Sequence, residues 1–106
     1  MMDVNIDYLK TYGFTDDNID NLIEKMEKEE IDFYNINCKE KNCRNILYFL
    51  VTNGIKDLFS IVYTCPRIFD YESDEIKKKF YDYGNIEELV NLLNNDSNNL
   101  SLIGLI

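Results

Sequence analysis

The sequence contains no histidine and no alanine, one proline and four glycines across 106 residues. Without histidine there is no Ser-His-Asp or Cys-His nucleophile system, and no imidazole to ligate a metal. Long hydrophobic runs are also missing. Ile46–Val51 and Leu100–Ile106 fall far short of the roughly 20 residues a membrane-spanning helix needs. The opening residues Met1–Asn5 carry neither a basic segment nor an apolar stretch, so no secretory signal is expected. Three cysteines are too few for a disulfide framework, and a reduced, cytoplasmic protein is the expectation. The missing alanine, with abundant Asn, Ile, Lys, Asp and Tyr, points to a low-GC coding source.

What is present is an acidic chain able to fold. Hydrophobic residues make up 45% and charged residues 29%, enough for a single core spanning residues 1–106 as one domain. The net charge of −9 is unevenly spread. Residues 1–34 carry −7, residues 35–70 carry +2 and residues 71–106 carry −4. Nucleic-acid affinity comes largely from Lys and Arg on phosphates, so this balance disfavours direct binding to DNA or RNA.

Apolar spacing is helical throughout, with no period-2 strand. Ile6, Leu9 and Tyr12 recur at threes and Gly13 stops them. Thr15 is the expected N-cap of a helix whose stripe is Ile19, Leu22, Ile23 and Met26. Residues 31–37 read as a turn or 3₁₀ connector. The next stripe is Cys43, Ile46, Leu47, Leu50 and Val51, closed by Asn53-Gly54. A short helix carries Leu58, Phe59, Ile61, Val62 and Cys65, ends at Pro66, and is followed by Ile68-Phe69 tucking back. Ser73 is the expected cap of a helix with Ile76, Phe80 and Tyr83 inward and Lys77-Lys78-Lys79 outward, stopped by Gly84. Asn85–Glu88 reads as a capping box before Ile86, Leu89, Val90 and Leu93. The apolar end, Leu100–Ile106, either folds back over the last helix or forms a homodimer or partner contact.

These marks align as an internal repeat. Leu9-Lys10-Thr11-Tyr12-Gly13, Leu50-Val51-Thr52-Asn53-Gly54 and Phe80-Tyr81-Asp82-Tyr83-Gly84 each open a unit of helix, glycine, second helix and short apolar turn. The second unit carries the proline at its helix end, Pro66. In this Leu-x-x-x-Gly opening, apolar helix and terminal proline the chain resembles the mitochondrial transcription termination factor (mTERF) family. The resemblance implies an all-α, right-handed stack of about three helix–helix–3₁₀ units with a concave face. In that family the concave face binds nucleic acid, in longer and more basic chains.

Candidate sites follow from charge. The acids Asp16, Asp17, Asp20, Glu24, Glu27 and Glu30 fall on one helix and read either as a solvated face or as a docking surface for a basic protein. They lack the central glycine and alternating ligands of a calcium loop. Lys39, Lys41, Arg44, Lys56 and Arg67 are the candidate contacts if nucleic acid is bound, with Phe33, Tyr34 and Tyr63 available for base stacking. Eight tyrosines suit either half-buried packing or an interface. Cys38 and Cys43 lie at the wide edge of the usual zinc-pair spacing, with no fourth cysteine and no histidine, so buried or half-buried thiols, with no metal and no cofactor, are expected. The function expected is non-enzymatic binding through the acidic surface. In its specific form it is a phage or mobile-element inhibitor that imitates nucleic acid, in the manner of anti-CRISPR proteins; the alternative is nucleic-acid binding through the basic middle third.

Overall fold

The computed structural model describes residues 6–106. The readings made on Met1–Asn5 lie outside them. The described chain is all-helical, without a strand. A 3₁₀ segment (Asp7–Tyr12) precedes α1 (Asp16–Lys28) and α2 (Tyr34–Cys38). Then come α3 (Glu40–Thr52), α4 (Leu58–Thr64) and a second 3₁₀ segment (Pro66–Asp70). Finally α5 (Ser73–Tyr83) and α6 (Ile86–Asn95) lead to a third 3₁₀ segment (Ser97–Ile103).

The corners explain this order. Gly13 and Gly54 have φ of +89° and +102°, a region costly for side-chain-bearing residues. At each, two hydrogen bonds close the helix end. Gly13 N–H donates to Lys10 O and Phe14 N–H to Leu9 O; Gly54 N–H donates to Val51 O and Ile55 N–H to Leu50 O. This is the Schellman arrangement, in which the residue after the glycine packs back on the last turn. Leu9, Phe14, Leu50 and Ile55 are all buried. The same pair of bonds forms at Gly104–Leu105 and at Glu30–Ile31, where a glutamate holds φ +56°.

Helix starts are capped by short side chains. Thr15 Oγ1 accepts from Asn18 N–H while Asn18 Oδ1 accepts from Thr15 N–H, both at 3.0 Å, a reciprocal box. Asp57 and Asn85 cap α4 and α6 with one bond each, accepting from Ser60 N–H and Glu88 N–H; the box expected at Asn85–Glu88 lacks its return bond. Ser73 is not a cap, contrary to expectation. Its N–H is taken by Asn42 Oδ1 from α3 at 2.8 Å, and the cap shifts back to Glu72, whose N–H donates to Glu75 Oε1.

Residues 31–37 also differ from the expected connector, because Tyr34–Cys38 is an α-helical turn. Asp32 Oδ1 accepts from Tyr34 N–H at 2.7 Å and starts it, and Ile36, 1% exposed, pins it to the core. On α3 the stripe holds for Cys43, Ile46, Leu47 and Leu50, but Val51 is 45% exposed and Phe49 takes the inward place. The reason is tertiary: α5 packs on the Phe49 side, where the Phe49 and Phe80 rings meet edge-on at 5.3 Å.

Elements pair in rows. α1 lies against α4, with Phe14 and Phe59 edge-on at 5.9 Å. α2 lies against the second 3₁₀ segment, where Asn35 Nδ2 donates to Asp70 Oδ1 at 2.9 Å. α3 and α5 run parallel: Asn42 meets Tyr71 and Ser73 at their starts, and Phe49 meets Phe80 and Tyr81 near their ends. α6 packs on α5 and the third 3₁₀ segment, and Asn94 bonds both Gly54 O and Lys56 N–H at 3.0 Å. The apolar end folds back. Leu100, Ile103 and Leu105 are buried, and Cys65 Sγ donates to Leu105 O at 3.3 Å. Leu102 and Ile106 stay about half exposed, at 50% and 52%. The buried core is hydrophobic, and its polar side-chain atoms are the Tyr8 hydroxyl and the Cys43 and Cys65 thiols.

Candidate functional site

The acidic residues take their places from the helical period of α1. Ile19, Leu22 and Met26 point into the core, so Asp16, Asp17, Asp20, Glu24 and Glu27 occupy the adjoining exposed face. Glu30 is exposed at the corner beyond it. Two are neutralised locally: Asp16 by Lys10 at 2.7 Å and Glu24 by Lys28 at 3.0 Å. Asp17, Asp20, Glu27 and Glu30 pair with no base among the described residues.

The basic residues do not gather in one place. Lys39, Lys41 and Arg44 stand at the start of α3, and Lys56 follows its end, a separation of about 20 Å along 13 residues at 1.5 Å each. Arg44 is held by Glu40 at 2.7 Å and lies 5.2 Å over the Tyr8 ring. Arg67 faces Asp70 at 3.7 Å. Of the proposed stacking aromatics, Phe33 is half-buried against the core, Tyr34 is exposed, and Tyr63 is engaged with Lys25.

Two surface depressions were not anticipated. A cleft of about 370 Å³ between α1 and α4 is lined by Asn21, Glu24, Lys25, Lys28, Glu29 and Tyr63. Lys25 Nζ sits 4.3 Å over the Tyr63 ring, donates to the Tyr63 carbonyl at the end of α4, and lies 3.7 Å from Glu29. Its charge therefore caps α4 and is spent within the protein. A second depression of about 290 Å³ lies between α3 and α5, lined by Asn45, Tyr48, Phe49, Thr52, Asn53, Lys77 and Tyr81. Neither was visible in sequence, because each joins helices distant along the chain.

Three buried titratable groups carry shifted pKa values. Burial pushes the Tyr8 phenol far above its usual value; its hydroxyl donates to Ile36 O at 2.6 Å and ties the first 3₁₀ segment to α2. Burial raises the Cys43 thiol from 9.0 to about 11, against the opposing pull of the Tyr8 hydroxyl. Burial likewise raises Cys65. Both are packed, unreactive thiols, whereas Cys38 is exposed. Among the described residues no three His, Cys, Asp or Glu side chains group as a metal site, and no helix is long and apolar enough to cross a membrane. No family model matches the chain, and neither a curated protein nor a solved structure does.

Proposed function

We propose that this chain is a non-enzymatic binding module that docks the exposed face of α1 on a basic protein. A single observation supports the reading. The unpaired carboxylates Asp17, Asp20 and Glu27 stand on one continuous helix face, with Glu30 just beyond it. From Asp17 to Glu27 the helix rises about 15 Å, so its three free charges stand about 7.5 Å apart on average. Duplex DNA carries one charge per ~1.7 Å of axis and each strand one per ~3.4 Å. The stripe is thus sparser than either, and nearer to a single strand than to a duplex. We therefore favour a partner that grips one strand's phosphates, as a mobile-element inhibitor competing for such a surface would exploit. The scaffold on this reading is a stack of three helix–glycine–helix units of mTERF-like type. Glycines of positive φ at 13, 54 and 84 support it, the first two in the same two-bond corner and Gly84 in one closed by a single bond to Tyr81 O.

The test is capture of basic partners by the wild-type chain and by an Asp17→Asn, Asp20→Asn, Glu27→Gln variant. Exposed charge pairs contribute about 0.2–1 kcal/mol each, so three should weaken binding roughly 3- to 160-fold. Raising salt from about 0.1 to 1 M, which shortens the screening length from roughly 10 to 3 Å, should release the same partners. Capture that ignores both the substitutions and the salt refutes the reading. Direct nucleic-acid binding has less support, because Arg44 and Arg67 already share their charge with Glu40 and Asp70. A low-salt gel shift with Arg44→Glu and Arg67→Glu tests it.

A further inference from the structure

We infer that the groove between α3 and α5 is a second docking surface, and that it receives a short acidic peptide segment of a partner, anchored by one aromatic side chain. The inference is independent of the α1 face, which contributes no residue to the groove. Three observations converge on it.

The first is exposure. Tyr48 is 64% and Tyr81 57% exposed, on facing turns of two parallel helices, although both rings are large enough to repay burial. Between them the Phe49 ring, 5.9 Å from Tyr81 and edge-on to it, makes an aromatic floor. Tyrosine at such a position is what interface anchors use, since the ring is rigid and the hydroxyl keeps a partner in water or in a complex.

The second is size. At about 290 Å³ the depression lies just under the range of cofactor and drug-sized clefts, roughly 300–1,000 Å³. It admits one bulky side chain and not a nucleotide cofactor.

The third is charge. Lys77 lines the groove and Lys41 stands one turn before Asn45 on the same face of α3. Neither lysine is within ion-pair distance of an acid among the described residues. On α5, Asp82 is occupied by Lys78 at 2.7 Å, and Asp74, one turn before Lys77, pairs with neither lysine. One free cation in the groove and a second a turn beyond its lining fit one or two carboxylates flanking an aromatic residue. They do not fit a polyanion, whose many phosphates would meet the net −9 of the chain, nor a second copy bearing the same charge.

The experiment is an amide-resonance titration of the whole chain. The probes are a short, terminally blocked peptide with one central phenylalanine flanked by two glutamates, its lysine counterpart, and oligothymidylate. A dilution series of the protein alone completes it. The expected result is saturable shifts at Asn45, Tyr48, Thr52, Lys77 and Tyr81 with the glutamate peptide only. Lys41→Glu with Lys77→Glu, and separately Tyr48→Ala, should each weaken binding about tenfold. Glu87→Gln on α6 should leave it unchanged. No shift, equal shifts with the lysine peptide, shifts with oligothymidylate instead, or groove shifts on dilution alone would each overturn the proposal. The titration is read first on the wild-type chain, so a variant that failed to fold would not shield it.

Discussion

Alkali should unfold this protein in a way that reports on Cys43 and Tyr8. Cys43 is fully buried and its pKa is raised from 9.0 to about 11. Between these values the unfolded chain has released the thiol proton and the folded chain retains it. Stability then falls with rising pH by about 1.4 kcal/mol per unit for one proton. Below pH 9 the contribution is constant; by pH 11 about 2.7 kcal/mol is gone. Tyr8, its phenol also raised by burial, adds a second proton above its unfolded value near 10, so the slope steepens there. Against a total stability of about 5–15 kcal/mol for a domain of this length, the loss is large. Urea unfolding followed by far-UV circular dichroism, repeated across this pH range, measures it. Cys43→Ala lowers stability at every pH through the lost packing, but its line should be flatter between pH 9 and 11. Tyr8→Phe should flatten the limb above pH 10. Parallel lines for wild type and Cys43→Ala would refute the burial argument.

Four further outcomes follow from the same structure. Tyr8→Phe strands the buried Ile36 carbonyl and should cost about 1–3 kcal/mol in urea unfolding at neutral pH. Gly13→Ala and Gly54→Ala should each cost about 1–2 kcal/mol, because the strain lies in φ and not in space: a Cβ at Gly13 meets no atom and one at Gly54 only Val90 Cγ1 at 3.4 Å. Glu30→Gly, at φ +56°, should do the reverse and gain about 0.5–1 kcal/mol by thermal melting. A thiol reagent should modify Cys38 at once and Cys65 slowly, and Leu105→Ala should speed the second reaction while leaving the first alone.

The helices were readable where one residue type decides the geometry. Gly13 and Gly54 mark corners because glycine alone adopts their φ cheaply, and Thr15 marks a start because its hydroxyl reaches a free amide. The acidic face of α1 was readable for the same reason, since helical period alone separates Asp17, Asp20 and Glu27 from Leu22 and Met26. Misreadings arose where a distant segment decides. Phe49 turns inward because α5 covers it, and Ser73 loses its cap because Asn42 claims its amide. The Glu30 corner escaped because its sequence carries no glycine, although Met26 O receives the Ile31 amide as in the glycine corners. The α3–α5 groove could not be read at all. Tyr48 and Tyr81 are 33 positions apart, and only the parallel packing of their helices makes them neighbours.

The double-bonded corners at 13, 30, 54 and 104 bear on how the chain reaches its shape. Each completes its turn with amides and carbonyls no more than five positions apart. A nascent chain can therefore settle the bends at 13, 30 and 54 as it is made, before the segments that later pack on them exist. Chains that rely on such nearby closures reach the native state in microseconds to milliseconds, leaving little time for half-built forms to aggregate.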